Sequence, residues 1–275
     1  MANKKAGKKI LTKEFAERFI EDPEDLEDEM NECTTIEADA AKLLCDSLQM
    51  ANVLGLEGLT EIPDSIAKIL FANPRKEMKG GFLNHKFPFF DDVRLNGLSE
   101  ISDSVAALIG QYRRETVELN GIKQLTDIAA EHLSSATNLD LGVSRLSDTS
   151  AKHLGKVTNL SLCKLRSVSD VAAESFGITD DAFGLDLSGA KVSDDALEHL
   201  CKRGGHSLAL GSKEISDRAA ETLRQAKVSE LYLRKLKSLS DDAAKTLLKF
   251  KGELHLKLDS IPKSASAILR KHKSF

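Results

Sequence analysis

The chain has 275 residues, of which 41% are hydrophobic and 30% charged, and its formal net charge is −4. Aromatic residues make up 5% and Trp is absent, so Leu and Ala must fill the interior, which suits thin repeated layers better than one bulky core. Cys33, Cys45, Cys163 and Cys201 show neither CxxC spacing nor a matched His pair, which argues against a disulfide framework or a zinc-binding motif. No apolar run is long enough to span a membrane, and no apolar stretch follows the basic start MANKKAGKKI, so the expected setting is a reducing compartment, the cytoplasm.

In chain order, the first predicted element lies in ILTKEFAERFIED, where Leu11, Phe15, Phe19 and Ile20 recur at helical spacing and suggest a helical cap. Acidic residues crowd between Glu14 and Glu37, whereas the last stretch of the chain leans basic. Such asymmetry can steer a charged partner, although two solvated ends would look the same. The segment TTIEADAAKLL at 34–44 then reads as a degenerate repeat with Ala40 and Leu43 facing a core. The organisation expected is a cap with this degenerate unit over residues 1–50, and a repeat array over 51–275 with an aromatic-rich insertion at about 71–92.

The repeat is explicit in LYLRKLKSLSDDAAKTL at 231–247. The same frame returns at Leu54, Val93, Val117 and Leu160, one residue shorter at Leu139, Leu185 and Leu208, and in a weaker form at Leu254, where Pro262 and Lys263 replace the Ser-Asp pair. The second Leu of each unit falls at 56, 95, 119, 141, 162, 187, 210, 233 and 256, with a mean period of 23 residues after Leu95. Within a unit, L-x-L alternates with the period of a short strand whose Leu side chains point inward. Ser or Thr before Asp supplies an N-cap, and Asp suits the positive end of the helix dipole. Ala and Leu three and six residues after the Asp share one face of a helix of about three turns. Such a helix is marginal alone, so the units must stack, with parallel strands on one side and helices on the other.

LDLSGAKVSDDALEHL at 185–200 resembles the bacterial leucine-rich repeats that read LxLsgTxVTDxgLxxL, and the longer units resemble the cysteine-containing class, LxLxxCxxITDxxLxxL. The resemblance covers roughly residues 50–270 and implies an α/β leucine-rich-repeat solenoid that serves as a protein-interaction scaffold. The chain departs from that pattern at the Cys or Asn position, which holds Leu59, Leu98, Ile122, Leu165 and Leu236. An Asn ladder is therefore not expected there, and the turn carbonyls need other partners.

No phosphate loop, dinucleotide fingerprint or metalloprotease motif occurs, so the chain reads as a non-enzyme with no cofactor, metal or catalytic residue. His132, His153 and His199 follow their unit's Asp by five residues but lack further ligands, and Cys163 lacks a partner His base. The outward strand columns carry mostly small or isolated polar residues until Tyr232, Arg234, His255 and Lys257, where a ring, a guanidinium and further donors converge. These four form the primary candidate binding site, with an acidic protein as the expected partner. The alternative patch is Phe82, Phe87, Phe89 and Phe90 in the insertion, which holds four of the eleven Phe and separates Leu56 from Leu95 by sixteen residues beyond the mean period. A polyanion or nucleic-acid binder using the basic C-terminal end is a second reading, opposed by the acidic isoelectric point and the shortage of aromatic rings on the strand face. An enzyme with an unrecognised site is the third.

Overall fold

A computed structural model describes residues 8–47, 53–71, 91–111, 114–177, 183–202 and 204–275. Phe82, Phe87, Phe89 and Phe90 lie outside the described residues. By backbone contacts the chain divides into two compact units, Met1–Asn138 and Leu139–Phe275.

In the first unit, helices Lys13–Glu21, Pro23–Asn31 and Ala38–Ser47 precede the parallel strands Val53–Gly55, Asp92–Arg94 and Thr116–Leu119. Leu11 is buried, but in a two-residue strand, Ile10–Leu11, that pairs in parallel with Thr35–Ile36; the expected helical run starts only after Thr12 caps it by accepting from the Phe15 N–H. The degenerate unit is shifted by one residue from the expected frame. Ala40, Ala41, Leu44 and Cys45 are buried and Leu43 is only half-buried, because the helix packs against Lys13–Glu21 on one side and Asp64–Phe71 on the other.

In the second unit, Asn159–Ser161, Gly184–Leu187, Gly204–Leu210, Lys227–Tyr232 and Glu253–His255 pair successively as parallel strands. Leu160, Leu185, Leu208, Leu231 and Leu254 lie opposite one another along the ladder, as do Leu187 and Leu210. Leu141, Leu162, Leu187, Leu210 and Leu233 are all buried. The L-x-L alternation thus delivers two stacked rows of Leu to one face of the sheet and leaves the intervening residues on the other.

Helices follow the strands, and they are shorter than expected. Asp194–Leu200 and Asp241–Leu247 have 7 residues each, about two turns at 3.6 residues per turn. Each buries two consecutive residues near its start rather than one, Ala196 with Leu197 and Ala243 with Ala244, since the helix must meet the sheet and its neighbouring helices together. Glycines stand at two of the helix ends, Gly155 as the cap after Asp148–Leu154 and Gly177 as the last residue of Asp170–Gly177. Gly155 has helical φ and ψ, and a Cβ there would lie 2.5 Å from the Ser175 carbonyl oxygen, so its role is close approach to the next unit.

All seven predicted N-caps are found. The hydroxyls of Ser102, Thr126, Ser147, Ser169, Ser193, Ser216 and Ser240 each accept the N–H three residues on, at 2.9–3.1 Å. Most of these hydroxyls also act as donors to the Asp that begins the preceding helix. In the first unit Ser102 donates to Asp64 at 3.1 Å and Thr126 to Asp103. In the second, Ser169 donates to Asp148 at 2.6 Å, Ser193 to Asp170 at 3.2 Å, Ser216 to Asp194 at 2.8 Å and Ser240 to Asp217 at 2.5 Å. The Ser-Asp dipeptide is therefore a cap in one unit and an acceptor for the next, and it runs as a relay along the helix N-termini.

The turns after the strands close through their own backbone. Leu98, Ile122, Leu165 and Leu236 donate their N–H to the carbonyls of Leu95, Leu119, Leu162 and Leu233, so Leu at the Cys or Asn position costs no turn hydrogen bond and adds a buried apolar side chain. At Gly189 the turn touches its predecessor: a Cβ would lie 2.1 Å from the Cys163 carbonyl oxygen. Of the buried polar residues among those described, Arg114 and His272 are the largest, and neither stands out in the sequence. Arg114 donates to the Ile109 carbonyl at 2.7 Å with its guanidinium 5.4 Å from the Phe71 ring centre. His272 Nε2 donates to the Phe250 carbonyl at 3.0 Å, since a carbonyl can only accept. Its Nδ1 lies 3.0 Å from Ser274 Oγ, which accepts the Leu254 N–H at the outer strand.

Leu187→Ala, at a fully buried site, should lower the unfolding free energy by about 2–5 kcal/mol in denaturant titrations. Ser216→Ala should cost about 0.5–2 kcal/mol through loss of the cap. In a double-mutant cycle with Asp194→Ala the coupling should reach about 0.5 kcal/mol; strict additivity would show that the relay bond contributes nothing.

Candidate functional site

The outward strand positions of the second unit hold the four residues singled out in the sequence, and three of them meet. Tyr232 and His255 are register partners on neighbouring strands. Their rings stack 4.2 Å apart at 9°. The Arg234 guanidinium lies 4.9 Å from the centre of the Tyr232 ring, a cation–π contact that spreads the apolar area of the ring under a charge. Lys257 is exposed and does not join the stack; it lines an open cavity of about 540 Å³ together with Arg234 and Lys273, and with His255 and Glu253 at its edge. Parallel pairing dictates this grouping, because it brings equivalent positions of successive units side by side on one face.

The structure adds residues that the sequence reading passed over. Glu230 and Glu253 are register partners one position before the paired Leu231 and Leu254. The Tyr232 hydroxyl donates to the Glu230 carboxylate, and that bond holds Glu230 below the usual carboxylate range while pushing Tyr232 up. His206 Nε2 lies 3.2 Å from the other Glu230 oxygen, and Phe183 stacks on His206 at 4.6 Å and 22°. Phe183 is 55% exposed, the most exposed large apolar residue among those described. A column written one position before the first Leu of each unit would have found Glu230 and Glu253. Phe183 and His206 share the column two positions before the first Leu of their units, beside the L-x-L positions that define the strand face.

The remaining candidates stay apart from this group. None of His132, His153 and His199 belongs to a cluster of three potential metal ligands among the described residues. Cys163 is half-buried, and burial first, then Asp140 and Asp186, push its thiol up, the reverse of what a nucleophilic thiolate requires. Burial pushes Cys45 up to about 11 and Cys201 up to about 12. In the first unit, a second concavity of about 350 Å³ is lined by Phe19, Met30, Leu44, Leu54 and Arg94 among others, and contains none of the sequence-predicted site residues. No helix among the described residues is long and apolar enough to cross a membrane.

No protein-family model matches the chain, and no curated protein matches it. Solved structures do. A chain of a TLR13–ssRNA13 complex aligns over 82% of this chain at 14% identity and a TM-score of 0.50; the alignment spans 35% of that chain, about a third of its length. The Toll–Spatzle complex of Drosophila aligns over 96% of this chain and 40% of that one, at 14% identity and a TM-score of 0.40. An internalin, inlF, from Listeria monocytogenes aligns over 88% of this chain and 80% of that one, at 10% identity and a TM-score of 0.42. The recurring strand, closed turn and capped helix, taken with the likeness to the TLR13 chain, identify the fold as an α/β leucine-rich-repeat solenoid.

Proposed function

We propose that this protein is a non-catalytic interaction scaffold that docks a protein partner on the outward strand face of its second unit, with Tyr232, Arg234, His255 and Lys257 at the centre. The observation that carries the reading is the Tyr232–His255–Arg234 stack. Aromatic and Arg side chains dominate binding energy at protein interfaces, and these are already held in place by strand register, so little side-chain freedom is left to lose on docking. Phe183, exposed and stacked on His206, extends the patch with apolar area. Arg234, Lys257 and Lys273 around the neighbouring cavity favour an acidic surface on the partner.

The single-stranded RNA in the TLR13 complex raises the polyanion reading for this chain as well. Glu230 and Glu253 within the patch, and Asp186 further along the same face, oppose it, because a phosphate backbone tracking the strands would meet carboxylates. Binding by the Phe82, Phe87, Phe89 and Phe90 segment is the rival within the protein-docking reading.

The test starts with a partner recovered by affinity capture with the full chain. Tyr232→Ala with Arg234→Ala should weaken its binding by about 2 kcal/mol or more and leave the unfolding free energy nearly unchanged. Affinity should also fall with added salt, over the ~10 Å screening length at 0.1 M. Binding that survives this pair but disappears with Phe87→Ser and Phe89→Ser, and that ignores salt, would move the site to the insertion. A captured RNA whose affinity tracks salt steeply would replace the protein partner altogether.

A further inference from the structure

We infer that Glu230, Glu253 and His255 form a binding site for a divalent transition-metal ion of the zinc type. The three residues offer one ligand atom each, all within 4.8 Å of one another, on neighbouring strands of the second unit. Imidazole with carboxylate is a donor set suited to zinc and its neighbours rather than to magnesium or calcium, which take oxygen alone.

Three observations ask for a cation there. Glu230 and Glu253 face each other across a strand pair, an arrangement in which like charges repel. The Nε2 atom of His255 is shielded from solvent and has no hydrogen-bond partner among the described residues. It stands 3.8 Å from the nearer Glu253 oxygen, too far for a hydrogen bond. Zinc bonds of about 2.0–2.2 Å would draw the ligand atoms to about 3.4 Å from one another. Glu253, 62% exposed, is free to make that adjustment.

The supports of a metal site are also in place. Tyr232 fixes the His255 ring by stacking and holds the Glu230 carboxylate through its hydroxyl, the supporting role that orients ligands around bound metals. His206 Nε2, 3.2 Å from a Glu230 oxygen, is a further donor on the far side of that carboxylate. Three protein ligands leave a coordination position free, where a partner's side chain or a water completes the shell. Tyr232 thus has a positioning role toward the metal besides its proposed contact with a partner. The two readings separate experimentally, because metal binding needs no partner.

Zinc ion alone, titrated calorimetrically into the full reduced chain, is the probe. One equivalent should bind, and magnesium at the same concentration should not compete. His255→Ala and Glu253→Gln should each weaken zinc by at least about tenfold, and Tyr232→Phe, which keeps the ring but loses the hydroxyl, by about tenfold. His199→Ala and Cys163→Ser should leave it unchanged. Far-UV circular dichroism checks that each variant is folded, and Glu253→Gln, at an exposed site, preserves the test if His255→Ala is not. Absence of binding at micromolar zinc, or binding that survives His255→Ala and Glu253→Gln, overturns the assignment.

Discussion

A helix of seven residues cannot hold itself together in water, so every unit of this protein depends on the unit stacked against it. The constraint acts at two levels. Rows of Leu on adjacent strands bury the apolar half of each unit, which supplies most of the stabilisation without fixing a direction. Direction and register come from the parallel strand ladder, and a polar relay at the helix N-termini adds a second link between units. There a Ser or Thr hydroxyl accepts from its own helix and donates to the Asp of the helix before, as Ser216 does between Ala219 and Asp194. One short side chain thereby satisfies an otherwise unpaired helical amide and links two units, while the negative Asp sits where the helix dipole favours it.

The functional face is a consequence of the same stacking. Parallel strands in register put equivalent positions of successive units next to one another, so a change at one position of two units creates a pair. Tyr232 against His255 is such a pair, and Glu230 against Glu253 is another, one step along the strands. The chemistry of the patch is an aromatic stack flanked by a carboxylate pair and a guanidinium. It is assembled by residues that belong to different units and has no linear motif. This is why motif searches along the chain see nothing there.

The fold was legible because its signal repeats. The L-x-L pairs mark buried strand positions, and the Ser-Asp pairs mark helix starts, down to the capped residue in each of seven units. Readings that rested on a single copy fared worse. The degenerate first unit was placed one residue early, at Leu43 instead of Leu44, since no neighbouring copy fixed its phase. Gly155 is required for close approach to the next unit, a property set by that unit and invisible in its own segment. Of the site, the sequence gives Tyr232, Arg234 and His255 as neighbours through column arithmetic. Glu230 and Glu253, one position before the first Leu, and Phe183 and His206, two positions before it, fall outside the L-x-L columns, and no single residue type runs through those positions to draw attention to them.

Amide hydrogen exchange at Ala172, Ala196, Ala219 and Ala243 tests the dependence between units most directly. These amides lie in the first turn of their helices, where backbone acceptors are missing and exchange is ordinarily fast. The relay predicts that they exchange as slowly as Ala220, whose N–H is bonded within its helix, and that Asp194→Ala quickens exchange at Ala219 in the unit beyond it. Fast exchange at all four amides in the unmodified protein, or an Ala219 rate indifferent to Asp194, would contradict it.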